Sequence, residues 1–331
     1  MGRFRSLATI TVAAVYFLIL VGGIVRASGS GMGCPDWPKC FGRWVPPTDE
    51  SQLPANYQEI YAQRGYGEAR FSVAKTWMEY INRLIGVGIG FLIFLTLLAS
   101  TAFWHRDRAV TWLSLVAFLL VGFQGWLGSV VVATNLLPWM VTVHMVVALV
   151  IVCLLVYVWV RSQREAVPAG TLERRGAISV AFAVVLALTL VQIALGAQVR
   201  ERVDEVQAAG VARTAWVEEL GMVFLTHRTL ALVVVAAHLW LVWQLRRAGA
   251  LGAEQGVMRR LSVGVVAVLL AEVTAGALLS WLGMPAVLQP AHLLLASVLV
   301  GLQFALLVFY RYASRSPTLA HTPAVVVEAR S

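Results

Sequence analysis

Charge is scarce in this chain. Of its 331 residues only 13% are Asp, Glu, Lys or Arg, against about a quarter in ordinary soluble domains. With 59% hydrophobic residues, a soluble core of this length could not hide the apolar surface, so a soluble globular class is excluded. Acid is scarcer than base, 17 residues against 26, giving a formal charge of +9. That excess does not point to nucleic acid. The arginines fall in short clusters between apolar runs, not on one amphipathic face or in a folded basic domain. Cysteine and histidine are also rare, with three and six copies, so each position can be weighed singly.

What the chain has instead is long apolar runs, with a mean hydropathy of +0.77. Eight approach the ~20 residues that a bilayer requires, at about 7–26, 75–103, 110–133, 139–160, 177–199, 221–245, 261–282 and 287–310. Arg3 and Arg5 precede the first run, and Arg311 and Arg315 follow the last. Arg106 and Arg108, then Arg161, Arg164, Arg174 and Arg175, then Arg246, Arg247, Arg259 and Arg260 occupy every second connection. The 3–4 and 7–8 connections hold no Lys or Arg. The positive-inside rule therefore puts both termini in the cytoplasm. The first run mimics a signal peptide, but it is long for one and no clear small-x-small site follows, so a retained helix is expected.

Two outer connections are long, about 27–74 and about 200–220, and loops of that length usually carry function or are disordered. The first contains "GSGMGCPDWPKCFGRW". A disulfide is the natural reading of Cys34 and Cys40 on an oxidising face. A metal site lacks a nearby third ligand, and the spacing is not the C-x-x-C-H of covalent heme attachment. Cys153 lies in an apolar run and reads as a small buried hydrophobe.

The histidines reveal a repeat. Asn82-Arg83 in "EYINRLIGV" aligns with His227-Arg228 in "FLTHRTLAL" at an offset of 145. Gly128 aligns with Gly276, and His144 with His292, both at 148. "GGIVR" ending at Arg26 resembles "GAQVR" ending at Arg200. Two tandem four-helix bundles of equal orientation are expected, with the marked residues in the second, fourth, sixth and eighth helices. Each lies about five to eight residues from the outer end, or about 8–12 Å deep. Ionisable side chains inside membrane helices usually face the bundle interior. Histidines on opposed helices are a known way to hold a cofactor, and heme iron accepts axial imidazole. Arg83 and Arg228, one residue further on, are candidates to pair with heme propionates. Their bland alternatives are snorkelling and, for Arg83, an i,i+4 ion pair with Glu79. "QGWLG", "QIALG" and "EVTAG" each place a polar residue four before a glycine, a spacing that close helix packing explains. Glu272, deep in a helix, needs a partner or a proton. His238 has no repeat partner and reads as structural or as a minor participant.

These residues resemble the heme A synthase family over nearly the whole chain. The carriers are "GGIVRASGSGMGCPDWPKCFG", "EYINRLIG", "QGWLGSVVV", His144, His227-Arg228 and His292. The resemblance implies an all-α integral membrane protein that oxidises the C8 methyl of heme O to a formyl group through successive hydroxylations. It implies a b-type heme (iron protoporphyrin IX) on His227 and His292, and a substrate heme in the N-terminal half with Glu79 as catalytic carboxylate. It also implies a Cys34–Cys40 disulfide. The family pattern generally reads Glu-x-x-His-Arg in the second helix, and here Asn82 replaces that histidine. A neutral amide is a poor iron ligand, so His144 alone is expected to hold the substrate heme, with the opposite axial position open or holding water.

The implied organisation is 1–165 as the N-terminal half with the substrate site, 172–312 as the C-terminal half with heme b, and 313–331 as a disordered tail. The implied setting is the plasma membrane of a prokaryote, with the Cys34/Cys40 loop outside. Heme O, the bilayer, a heme O synthase and an electron donor or acceptor are the expected partners, and a homo-oligomer is compatible. Two other readings stay open. One is a quinol-linked heme-b electron-transfer cytochrome, against which Glu79 stands because its aligned residue is Phe224. The other is an inactive paralogue assisting oxidase assembly, which Asn82 would favour. Transporter repeats are often inverted with broken midplane helices, features not seen here.

Overall fold

The computed structural model describes residues 2–67, 70–166, 172, 176–252 and 255–314. Within them the chain is helical throughout, with no strand beyond an isolated bridge between Cys40 and Arg43. Eight helices are long and apolar enough to cross a membrane: α1 (Gly2–Ala27), α2 (Val73–Ser100), α3 (Arg108–Ala133), α4 (Pro138–Arg161), α5 (Gly176–Ala208), α6 (Gly221–Arg247), α7 (Gly256–Trp281) and α8 (Leu288–Ala313). Each satisfies its backbone hydrogen bonds internally, as a hydrocarbon surround demands. The protein is an all-α, multi-pass membrane protein. From residue 315 onward, the expected tail lies outside the described residues.

One boundary differs from the sequence expectation in an instructive way. The fifth apolar run ends near 199, yet α5 continues to Ala208. The extra turns are polar, and ion pairs at helical spacing support them, Arg200–Asp204 at 2.6 Å and Arg202–Glu205 at 2.7 Å. Hydropathy does not register such an extension, whereas charge pairing at i,i+3 and i,i+4 does.

The packing has an internal symmetry. Helices pair in sequence, α1 on α2, α3 on α4, α5 on α6 and α7 on α8. Contacts of α1 with α4 recur between α5 and α8, and α1 meets α8 as α4 meets α5. Thus α1, α4, α5 and α8 form the centre, and the other four lie outside it. α8 is the most enclosed, with 56% of its apolar window buried against 11% for α6. At one end Arg26 of α1 and Arg200 of α5, the aligned pair, share Asp204 at 3.3 and 2.6 Å. At the other end Arg161 grips Asp107 through two bonds of 2.8 and 2.9 Å.

Two details fix the core. His238 is buried, and its Nδ1 donates to Val234 O at 2.7 Å. Its Nε2 meets the Gln303 amide, which also donates to Thr189 Oγ1 at 3.1 Å. One neutral tautomer satisfies these bonds, so His238 ties α5, α6 and α8 together. Gly301 of α8 lies against the Tyr16 hydroxyl, where a Cβ would collide. Gly301→Ala is expected to cost about 1–3 kcal/mol by overpacking, and Tyr16→Phe in the same background should recover part of it. Thermal unfolding in detergent checks both, and an unchanged midpoint in the single variant would contradict this packing.

Candidate functional site

The long first loop is a small folded unit. Cys34 and Cys40 are disulfide-bonded, Cα to Cα 4.9 Å. Both are fully buried with Phe41, Leu53, Tyr57 and Tyr66. Phe41 is surrounded edge-on by Tyr61, Tyr66 and Phe71 at 5.2–5.5 Å and by Tyr57 at 6.5 Å. Its backbone is left-handed (φ 51°), a conformation that L residues resist. The Asp36 carboxylate supports it by accepting from Phe41 N at 2.6 Å and Gly42 N at 2.8 Å. Tyr66 donates to Met32 O at 2.7 Å, and burial pushes its phenol above the ordinary range so that it stays a donor.

This unit is seated on the polar face of α2. Glu79, 4% exposed, accepts from Cys34 N at 2.9 Å. Thr76 Oγ1 donates to Gly33 O at 2.8 Å, and a Cβ on Gly33 would run into the Lys75 backbone. Arg83 pairs with Glu79 through one nitrogen, and through another it donates to Asp36 O at 2.7 Å and Lys39 O at 3.1 Å. Glu79, Asn82 and Arg83 project as the i, i+3, i+4 spacing requires. The Arg83 guanidinium, a propionate candidate on sequence, is committed to the loop and to Glu79. Arg228 differs. It is exposed, and its guanidinium lies 5.8 Å from the centroid of Phe224, the residue aligned with Glu79. No carboxylate among the described residues pairs with it.

The histidines occupy a recurring cradle. His144 of α4 faces Gly128 of α3, where an added methyl would lie 3.5 Å from Cε1. His227 of α6 faces Gly196 of α5 at 3.2 Å, and His292 of α8 faces Gly276 of α7 at 3.3 Å. The polar residue one turn before each glycine reaches the same histidine. Gln124 and Gln192 donate to the carbonyls of His144 and His227 at 2.8 and 3.0 Å. Glu272 Oε1 lies 3.2 Å from His292 Nδ1, within ion-pair range but without hydrogen-bond alignment. The Nδ1 atoms of His144 and His227 are likewise buried and unpartnered. Gln124, Gln192 and Glu272 are therefore part of the site, and the polar-x3-Gly spacing was their visible signal in the sequence.

His227 and His292 come together across the bundle, with ring centroids 6.4 Å apart and planes at 76°. Two metal–imidazole bonds of about 2 Å, with half a ring on each side, set such centroids about 6 Å apart. Among the described residues no three His, Cys, Asp or Glu side chains gather as a metal cage. Two neighbouring imidazoles, with only the Glu272 carboxylate beside one of them, suit an iron whose remaining four ligands come from a macrocycle. A b-type heme thus fits the residues present.

These features define a polytopic helical bundle with an internal pair of facing imidazoles. The family model described as "Cytochrome oxidase assembly protein" (COX15-CtaA) matches residues 5–304. The chain belongs to this family, the heme A synthase family. Among its relatives is a protein named "Heme A synthase" from Shewanella oneidensis, 32% identical over 168 residues, covering 50% of this chain and 47% of that one. A second of that name, from Methylobacterium radiotolerans, is 31% identical over 212 residues, covering 59% and 55%. Those two alignments span about half the length of the relatives they match. A third, from Methylobacterium nodulans, is 30% identical over 308 residues, covering 78% and 82%.

Arg83→Gln should loosen the seated loop and raise its rate of limited proteolysis several-fold. Cleavage within 34–67 at the wild-type rate would contradict the clamp.

Proposed function

We propose that this protein is a heme A synthase, acting in a prokaryotic plasma membrane with the Cys34–Cys40 loop outside. The substrate is heme O, whose C8 methyl is oxidised to a formyl group. Two successive two-electron hydroxylations each replace a C–H by C–OH. Either water is the oxygen source and an external acceptor takes the two electrons, or dioxygen is the oxygen source and an external donor supplies two. The resulting geminal diol loses water to give the aldehyde. The chain divides into an N-terminal half, 1–165, that takes the substrate, and a C-terminal half, 172–312, that holds heme b.

The observation that carries this reading is the 6.4 Å spacing of His227 and His292, in a chain whose relatives are named heme A synthases. A bound heme b would supply one-electron relay chemistry. His227 and His292 would hold it through their ring nitrogens, and Arg228 would pair with a propionate. In the other half His144 holds the substrate iron from one side, with Asn82 opposite. Glu79 is the catalytic carboxylate. It stabilises positive charge developing at the methyl carbon or accepts its proton. Cys34 N–H and Arg83 fix its direction, so little reorganisation is needed when that charge appears. A heme O synthase and an electron partner complete the expected setting.

Asn82 favours one other reading, an inactive member that assists oxidase assembly. Co-expression with a heme O synthase, followed by extraction and chromatography of hemes, separates the two. The catalytic reading expects heme A from the wild type, and a loss of at least about 100-fold in Glu79→Gln. Absence of heme A from wild-type cells would overturn it, and an unchanged yield in the variant would remove Glu79 from its role.

A further inference from the structure

The recurring cradle has a fourth copy, and it is altered at two places at once. In α5 and α6 the set is Gln192, Gly196 and His227. The aligned set in α1 and α2 is Leu18, Gly22 and Asn82. The glycine is kept, whereas the imidazole and the polar side chain that supports its helix are both replaced. In the three complete cradles a methyl on the glycine would touch the ring at 3.2–3.5 Å, but at Gly22 nothing lies within 4 Å. Asn82 is only partly buried as a residue, yet its Oδ1 is buried without a hydrogen-bond partner. Leu18 offers none. An unmet buried amide oxygen is costly, and α2 could have carried an apolar residue here at no such cost.

We propose that the α1–α2 cradle is a binding site for a small exogenous ligand on the iron held by His144, with Asn82 hydrogen-bonding that ligand. This rests on the reading of the N-terminal half as a porphyrin site. A histidine in that place would fill the axial position. The amide is too weak a base to replace it, and its Oδ1 is left without a partner in the protein. Cyanide and free imidazole are the probes, because each binds ferric iron through one atom and keeps a nitrogen free for a hydrogen bond with the amide.

The test uses the purified full-length protein loaded with ferric iron protoporphyrin IX, and reads its optical and electron paramagnetic resonance spectra. Two hemes per chain are expected. One is low-spin and indifferent to cyanide, and the second is high-spin and becomes low-spin when cyanide or imidazole is added. Asn82→His should make the second heme low-spin unaided and abolish its cyanide response. Asn82→Leu should keep the response but weaken cyanide about ten-fold, with the first heme's spectrum reporting that the bundle is intact. A second heme that His144→Ala removes, but that is low-spin and unresponsive in the wild type, would overturn the proposal while leaving the porphyrin reading standing. Cyanide affinity unchanged in Asn82→Leu would remove Asn82 from its role. A single heme per chain would overturn the underlying reading and the proposal with it.

Discussion

A polar side chain inside a bilayer must find its partner within the protein, and this constraint shapes the bundle. The structure sets each of three histidines against a glycine on the preceding helix, and leaves the buried ring Nδ1 of each without a hydrogen-bond partner in the protein. That helix's polar residue, one turn earlier, reaches the same histidine. The glycine removes the Cβ that would push the ring away, and the polar residue holds the neighbouring turn in register. Ring placement is thereby set by backbone proximity, which is less variable than side-chain packing alone. The 6.4 Å approach of His227 and His292 follows from two such cradles facing each other.

The two halves use one plan for different ends. In the C-terminal half Phe224 and Arg228 stack at the end of the imidazole pair and leave the guanidinium available. In the N-terminal half the aligned residues are Glu79 and Arg83, locked to each other and to the disulfide-closed loop. The same helix positions therefore flank a pair of histidines in one copy and carry a buried, loop-held carboxylate in the other.

Much of this was legible in the residues. Run lengths and arginine clusters defined eight spans, and the offsets near 145 and 148 exposed the repeat. The i, i+3, i+4 spacing put Glu79, Asn82 and Arg83 on one face. What was not legible depended on contacts distant in sequence. Arg83 meets the carbonyls of Asp36 and Lys39 more than forty positions away. Arg26 and Arg200 share Asp204 across the two halves, although their alignment hinted that they were equivalent. Gln124 and Gln192 were visible as a spacing but read as packing, because a periodicity cannot say which neighbour a side chain reaches, whereas Glu272 stood out as a carboxyl in need of a partner or a proton. The order of the first loop was hidden as well. Its aromatic core forms around Phe41, whose positive φ is stabilised by a carboxylate five residues earlier.

The central claim is that His227 and His292 share one iron. The most direct measurement is the electron paramagnetic resonance spectrum of the oxidised, purified protein, compared with that of His292→Ala. The account expects a low-spin bis-imidazole signal in the wild type that the substitution abolishes. A wild type devoid of porphyrin, or the same bis-imidazole signal persisting in the variant, would contradict it.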